Sequence, residues 1–337
     1  MRWLFKLLFW LILLGAITAA AVGGWAYHWV NKPLELSEPE IDVRIPTGTG
    51  PMRIGQILVD EGVTMPAQSF GWLARLTGQD RSLQAGGYQI RQGDSLVDVV
   101  RRMAQGEVTQ RRVAFIEGWT VQQIMAALAE HPDVNQTIEA ELLANQRELA
   151  SRLGVEQSRL EGLLFPDTYV FSVGTSDEEI LLRALRSQDE VLERAWNNRV
   201  ADLPLKNPYE ALILASIVEK ETGRADERKR VAGVFINRLR VGMPLQTDPT
   251  VIYGMGDRYQ GRIRKADLRR DTPWNTYTRP GLPPTPIAAA SRASLEAALN
   301  PEEHDYFYFV ARGDGTSAFA KNLRDHNRNV AKYILGR

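Results

Sequence analysis

Asn207 to Gly223 reads NPYEALILASIVEKETG and predicts a helix in the C-terminal half. Asparagine followed by Pro208 is typical of a helix start, because asparagine caps the first N–H groups and proline fits the first helical position. Residues 211 to 218 include one polar side chain, Ser216, which predicts a helix that is buried nearly all round. We expect this helix to stop at Gly223 in a left-handed conformation.

Three charged residues, Glu219, Lys220 and Glu221, fall in the last turn of this helix. Helical spacing places the two glutamates on different apolar stripes. Burial and the negative end of the helix dipole both disfavour an ionised carboxylate, so the pKa of a glutamate in this turn should be raised. A raised pKa suits a general acid that works near neutral pH. The alternative interpretation is a surface charge cluster at a frayed helix end.

A second helix is predicted from Ala225 to Val241, and loops are predicted at 243–256 and 273–288. The loops are rich in Pro, Gly, Asn, Thr and Tyr, and loops this long in a compact domain are usually functional. An acid on a buried helix beside polar and aromatic loops is what glycosidic bond cleavage needs. The candidates for sugar contacts or orientation are Gln246, Asp248, Tyr253, Asn275 and Tyr277.

The N-terminus carries a membrane signal. Leu7 to Asn31 has no charged residue, and about 20 apolar residues in a helix span a bilayer. Arg2 and Lys6 precede this run, so the positive-inside rule places the N-terminus in the cytoplasm. A cleaved signal peptide is the alternative, but the apolar run continues well beyond the small residues at 19–21.

Between the membrane segment and the C-terminal half, one pattern recurs at 43–63, 88–108 and 113–134. Each copy predicts a strand, a glycine turn and an amphipathic helix, with Ser95 and Thr120 as the helix caps of the second and third copies. The pattern resembles the LysM module, a small glycan-binding fold. A supporting subdomain without a carbohydrate site is the alternative. Together with the C-terminal helices and strands, the class is α+β.

Composition excludes several functions. The chain has 337 residues, with 41 basic and 41 acidic side chains, and this balance argues against a nucleic-acid partner held by a basic surface. The absence of cysteine excludes disulfides, thiolate zinc sites and a cysteine nucleophile. No metal or cofactor signal is present, so we expect no cofactor.

Longer motifs carry a family resemblance. The strings are EGLLFPDTY (161–169), LASIVEKET (214–222), VFINRLRVGMPLQTDPTVIYGMG (234–256), NTYTRPGLPP (275–284) and FAKNLRDHN (319–327). Over essentially the whole chain the sequence resembles the YceG-like endolytic murein transglycosylases. The resemblance implies a lyase that cuts peptidoglycan glycan strands internally and leaves 1,6-anhydro-N-acetylmuramic acid ends. It assigns the catalytic role to Glu219, and Glu221 in the same turn stays as the secondary candidate from the helical spacing.

The resemblance also implies an organisation and partners. The predicted parts are a cytoplasmic stub (1–6), a transmembrane helix (7–30), a linker (31–40), a LysM-like subdomain (41–112) and a YceG-like catalytic domain (113–337). The protein would lie in the inner membrane with its catalytic domain in the periplasm. The absence of cysteine is compatible with that compartment. Peptidoglycan strands are the implied substrate and peptidoglycan synthases the implied partners, with strand termination as the role.

Three other functions stay open from the residues alone. A hydrolase would use Asp248 or Asp226 as a second carboxylate, since hydrolysis normally needs two. A serine acyl enzyme would use Ser216, although its spacing to Lys220 is one residue longer than the S-x-x-K motif. A membrane-tethered scaffold would bind the cell wall without any activity.

Overall fold

The structure is a computed structural model, and it describes residues 2–139, 141–142 and 145–337, so Met1 of the predicted stub lies outside the described residues. Helices and strands are mixed along the chain, which confirms the α+β class. The helices are α1 (Arg2–Asn31), α2 (Pro51–Asp60), α3 (Gln68–Leu76), α4 (Leu96–Gln105), α5 (Val121–Ala129), α6 (Gln146–Arg152), α7 (Asp177–Asn197), α8 (Pro208–Glu221), α9 (Ala225–Arg240), α10 (Asp248–Met255), α11 (Lys265–Arg269), α12 (Arg292–Leu299) and α13 (Leu323–Tyr333). The strands are β1 (Glu35–Leu36), β2 (Glu40–Ile45), β3 (Val63–Thr64), β4 (Gly86–Arg91), β5 (Gln110–Ala114), β6 (Thr168–Ser172), β7 (Tyr308–Ala311) and β8 (Ser317–Ala320).

The chain divides into two compact units. Unit 1 comprises the residues up to Arg111 together with Asp133–Asn135 and Val170–Thr175. Unit 2 comprises Arg112–Pro132, Gln136–Tyr169 and Ser176–Arg337.

Unit 1 is built on the antiparallel pair β2–β4, in which Val43 lies opposite Tyr88. Residues of β2 alternate between exposed and buried, as expected for a strand with one face on a core. Each predicted repeat is a strand followed by a helix: β2–α2 and β4–α4 belong to unit 1, and β5–α5 has its helix in unit 2. The caps are confirmed as well, because Ser95 and Thr120 each form a capping box with the residue three positions on.

Helix α1 is apolar and, within the part of the chain that the structure describes, is the helix long and apolar enough to cross a membrane, over Phe5–Asn31. Its large side chains, such as Phe9 and Trp10, are exposed. At its C-terminal end Trp29 and Val30 pack against the core of unit 1. The segment interpreted as a linker contains β1, which pairs antiparallel with β3.

Unit 2 is organised around α8. The side chains from Ala211 to Val218 are all buried, as the sequence predicts. Helices α7, α9, α10 and α12 pack around α8, which explains why it is apolar on every face. The two-stranded sheet β7–β8 packs beside α9 and α13. The last turn of α8, with Glu219, Lys220 and Glu221, follows directly on this buried part and is partly exposed.

Candidate active site

The ends of α8 follow from its sequence. The Asn207 side chain accepts a hydrogen bond from the Glu210 backbone N–H at 2.9 Å, and Pro208 occupies the first turn, so the predicted start is confirmed. The predicted end is wrong in one respect. Thr222 stops the helix in an extended conformation (φ −143°), and Gly223 does not adopt a positive φ. Because the chain straightens at Thr222, no left-handed glycine is needed there.

Glu219 is half-buried and held by one serine. Its Oε2 accepts hydrogen bonds from the Ser291 backbone N–H at 3.0 Å and from the Ser291 hydroxyl. Ser291 is also the N-cap of α12, since its Oγ accepts from the Ser294 N–H at 3.1 Å. Among the described residues both hydrogen bonds to this carboxyl group end on Oε2. Its Oε1 is thus left for a group from outside.

A turn at 117–119 lies against the same side of α8. The Lys220 ammonium donates to the Gly118 carbonyl at 3.1 Å. Gly118 N–H donates to the Ala289 carbonyl at 2.8 Å, and Ala289 N–H donates to the Trp119 carbonyl at 2.7 Å. This reciprocal pair ties the turn to the buried segment 287–291, which ends at the serine that holds Glu219.

Ser216 lies one turn before Glu219 and is fully buried. Its hydroxyl donates to the Ile213 carbonyl at 2.7 Å and accepts from the Ile287 N–H at 3.0 Å. The hydroxyl therefore fixes segment 287–291 against α8. A buried serine with both bonds used inside the protein is not placed to act as the nucleophile of an acyl enzyme.

Glu221 lies on the other side of the helix, since two residues correspond to about 200° of rotation. The Thr247 hydroxyl donates to its Oε1. Burial raises the pKa of Glu221, and the nearby Asp248 raises it further, while Thr247 and Arg238 act in the opposite direction. The expected upward pKa shift for a carboxylate in this turn is therefore confirmed at Glu221.

Glu221 opens onto a cavity of about 340 Å³. Its lining includes Glu221, Arg238, Gln246, Asp248, Tyr277 and His326. The Tyr277 hydroxyl donates to Asp248 Oδ1 at 2.7 Å, and Gln246 has a left-handed backbone (φ +47°), which is unusual for a residue other than glycine. Three of the five loop candidates thus meet beside Glu221. Glu219 is not among the described residues that line this cavity.

The prediction that 243–256 is a loop is wrong in its second half. Residues Asp248–Met255 form α10, with Thr247 as the preceding cap residue and Pro249 in the first turn. Threonine, aspartate and proline in this order are a helix-start signal, and they could have been interpreted in that way. Asp248 therefore lies in the first turn of a helix.

The other two loop candidates have internal partners. Asn275 is 1% exposed, and its amide donates to the carbonyls of Asp267, Leu268 and Arg270. Its oxygen accepts from the Tyr277 N–H at 2.9 Å, so the side chain orders the loop that carries Tyr277. The hydroxyl of Tyr253, the remaining candidate, donates to Glu161 Oε2 at 3.0 Å.

Glu161 is a carboxylate that the residue-level interpretation missed. It is 2% exposed, and its Oε1 accepts from the Val121 N–H at 3.1 Å. Burial raises the pKa of Glu161 to about 7, against the lowering effect of its hydrogen bonds. The glutamate opens the string EGLLFPDTY, but nothing in that string alone indicates burial.

The second carboxylates that a hydrolase would need are engaged elsewhere. Asp226 is exposed and pairs with Arg224 at 2.7 Å, which lowers the pKa of Asp226. Asp248 accepts from Tyr277 beside Glu221. Within the described residues, no three His, Asp or Glu side chains are grouped to hold a metal ion. The chemistry available at Glu219 is that of a single carboxyl group that can give and take a proton.

Comparisons with known proteins show the family of this chain. The YceG-like family matches residues 43–332. The endolytic murein transglycosylase of Bacillus subtilis is 31% identical over 318 residues, covering 90% of this chain and 88% of the relative. The protein of the same name from Streptococcus pneumoniae strain D39 is 29% identical over 356 residues, covering 96% of this chain and 64% of that longer relative. A crystal structure of a YceG-like protein from Listeria monocytogenes is similar with a TM-score of 0.56 at 31% identity, covering 87% of this chain and 99% of that one. The chain therefore belongs to the YceG-like family.

Proposed function

We propose that the protein is a membrane-anchored endolytic murein transglycosylase with Glu219 as its catalytic acid and base. The observation that carries the proposal is the geometry of the Glu219 carboxyl group, which is fixed through Oε2 by Ser291 and leaves Oε1 for substrate. The names of the relatives from Bacillus subtilis and Streptococcus pneumoniae support the same activity.

The reaction needs one carboxyl group. Protonated Glu219 gives its proton to the glycosidic oxygen between N-acetylmuramic acid C1 and the next N-acetylglucosamine, and the C1–O bond breaks. The resulting carboxylate then takes the proton of the muramic acid C6 hydroxyl while that oxygen bonds to C1. The products are a 1,6-anhydro end and a free hydroxyl on the leaving strand. An internal nucleophile held close to C1 replaces a water activated by a second carboxylate.

The loop candidates divide into two roles. Gln246, Asp248 and Tyr277 contact the sugar chain in the cavity beside Glu221, where a carboxylate, an amide and a phenol match the hydroxyl groups of a glycan. Tyr253 and Asn275 act through other residues, since their polar groups bind Glu161 and the loop carbonyls. Glu221 remains the secondary candidate for the catalytic acid, because burial raises its pKa.

The anchor and the N-terminal unit complete the proposal. Helix α1 holds the protein in the inner membrane with its N-terminus in the cytoplasm and with 113–337, the catalytic domain, in the periplasm. The strand–helix units of 41–112 support a LysM-like subdomain, to which no sugar contact is assigned. The protein would end the elongation of nascent strands alongside peptidoglycan synthases.

Digestion of defined glycan strands tests the proposal, with products analysed by mass. We expect wild type to release anhydro-ended fragments and Glu219→Gln to release none, while Glu221→Gln remains active. Full activity in Glu219→Gln with loss in Glu221→Gln would move the assignment to Glu221. A hydrolase would give products heavier by one water, and a scaffold would leave the strands intact.

A further inference from the structure

Glu161 is a buried carboxylate without an ion pair among the described residues. The groups that donate to it are neutral: the Val121 N–H at 3.1 Å, the Tyr253 hydroxyl at 3.0 Å and the backbone N–H of Gly162. The other ionisable groups that act on it are Arg159, which is exposed, and Tyr209 on α8. Burying a carboxylate with so little compensation costs stability, so a purely structural role does not account for its presence.

The Val121 hydrogen bond connects Glu161 to the turn beside Glu219. Val121 is the first residue of α5 and lies two residues after Trp119, so residues 118–121 lead from this turn into the helix and are called the 118–121 turn below. This turn is bonded to Ala289 and accepts from the Lys220 ammonium at 3.1 Å. Glu161 thus fixes one end of the turn, and the other end lies against the last turn of α8.

The next residue, Gly162, contacts the segment that carries Ser291. Gly162 has a left-handed backbone (φ +75°), and a Cβ built on it would lie 2.3 Å from Pro286 Cβ and 3.3 Å from the Ala288 carbonyl oxygen. The corner 161–162 therefore packs directly on 286–288, three residues before the serine that holds Glu219.

The Tyr253 hydrogen bond adds a third segment. Tyr253 belongs to α10, whose first turn contains Asp248 of the cavity beside Glu221. Its ring packs edge-on against Trp274 with ring centroids 5.4 Å apart. One carboxylate therefore joins the 118–121 turn and α10, and its neighbour joins the Ser291 segment.

We propose that Glu161 is a positioning residue for the transglycosylase step. Its carboxylate holds the 118–121 turn, α10 and segment 286–291 in place. Ser291 then keeps the Glu219 carboxyl group in its working orientation. The inference rests on the proposed function. It predicts that disturbing Glu161 slows the chemical step and leaves strand binding nearly intact, because the carboxylate acts through other residues.

The test compares steady-state cleavage of purified glycan strands by the full-length protein in detergent. Glu161→Gln keeps the shape of the side chain but replaces one oxygen by an NH₂ group, to which Tyr253 cannot donate. We expect kcat to fall about tenfold while KM stays within about twofold, as for a small misplacement of the catalytic group. Tyr253→Phe, which keeps the ring packed on Trp274, should lower kcat in the same direction but less.

Asp177→Asn is the matched control. Asp177 is also 2% exposed and accepts from the Thr137 N–H and hydroxyl and from the Ile138 N–H, away from these segments. Asp177→Asn should lower the free energy of unfolding by an amount similar to Glu161→Gln, yet leave kcat per folded molecule unchanged. A kcat within twofold of wild type in Glu161→Gln, or an equal loss in the control, overturns the inference. If Glu161→Gln does not fold, Tyr253→Phe decides by the same criterion.

Wild-type activity separates this inference from the proposed function. A wild type that releases no anhydro-ended product overturns both. An active wild type with an unaffected Glu161→Gln overturns the positioning role alone.

Discussion

Ser291 binds Glu219 with two donors on the same oxygen, its backbone N–H at 3.0 Å and its hydroxyl. The same hydroxyl accepts from the Ser294 N–H and so caps α12. The orientation of the carboxyl group is therefore linked to the start of a helix that packs on α8. Ser291 therefore contributes both to the stability of α12 and to the orientation of Glu219. A substitution can separate these two contributions.

Ser291→Ala keeps the backbone donor and removes the hydroxyl. We expect the free energy of unfolding to fall by about 1 kcal/mol, as for loss of a serine cap, and kcat on glycan strands to fall about tenfold. Ser176→Ala is the control, because Ser176 caps α7 through the Glu179 N–H at 3.1 Å. It should lose similar stability and keep kcat. Equal kcat in the two variants would contradict the role given to the Ser291 hydroxyl.

Local signals account for the parts of the fold that the sequence predicts well. Helix α8 is marked by Asn207 and Pro208 at its start and by an apolar run, all within one stretch of chain. Caps such as Ser95 are equally local. The sequence predicts that α8 stops at Gly223, whereas the extended residue before it, Thr222, ends the helix.

The site could be predicted only in part, because its contacts join distant segments. The buried helix indicates a carboxylate in its last turn and the resemblance selects Glu219, but the partner Ser291 lies 72 residues away. The pair formed by Glu161 and Tyr253 spans 92 residues. No periodicity or spacing rule connects such positions, so the sequence indicated the carboxylate and not what holds it.

Gly162→Ala tests the packing between the 161–162 corner and Pro286. An added Cβ meets Pro286 at 2.3 Å and must also adopt φ +75°, so we expect a loss of about 2–4 kcal/mol in the free energy of unfolding. Gly154→Ala is the control, since Gly154 has φ +73° but nothing within 4 Å of the added atom. It should lose only about 1 kcal/mol. Urea unfolding measures both, and equal losses would exclude the close contact as the cause.

Truncation tests how α1 joins unit 1. A chain that starts at His28 lacks the apolar run but keeps Trp29 and Val30, which pack on the unit 1 core. We expect it to remain in the supernatant after lysis without detergent and to keep the stability of unit 1. A chain that starts at Lys32 should lose about 1–2 kcal/mol from the lost apolar burial. Sedimentation with the membranes by the His28 chain would contradict this prediction.

Glu161 should also make the stability depend on pH. Burial raises its pKa from 4.5 to about 7 in the folded protein, so between these values the folded state keeps a proton that the unfolded state has lost. The contribution to stability is therefore complete below about pH 4.5 and is lost as the pH rises through 7. The shift corresponds to about 3 kcal/mol. Glu161→Gln removes this dependence, so wild type should lose stability relative to the variant as the pH rises from 5 to 8.

Urea unfolding of wild type and variant at a series of pH values measures this difference, and other titrating groups, including Glu221, cancel when the two curves are subtracted. Tyr253→Phe sharpens the test. The Tyr253 hydroxyl lowers the pKa of Glu161 by donating to the carboxylate, so its removal should raise that pKa further and move the loss of stability to higher pH. A difference between wild type and Glu161→Gln that is constant from pH 5 to pH 8 would show that Glu161 is ionised throughout this range in the folded protein.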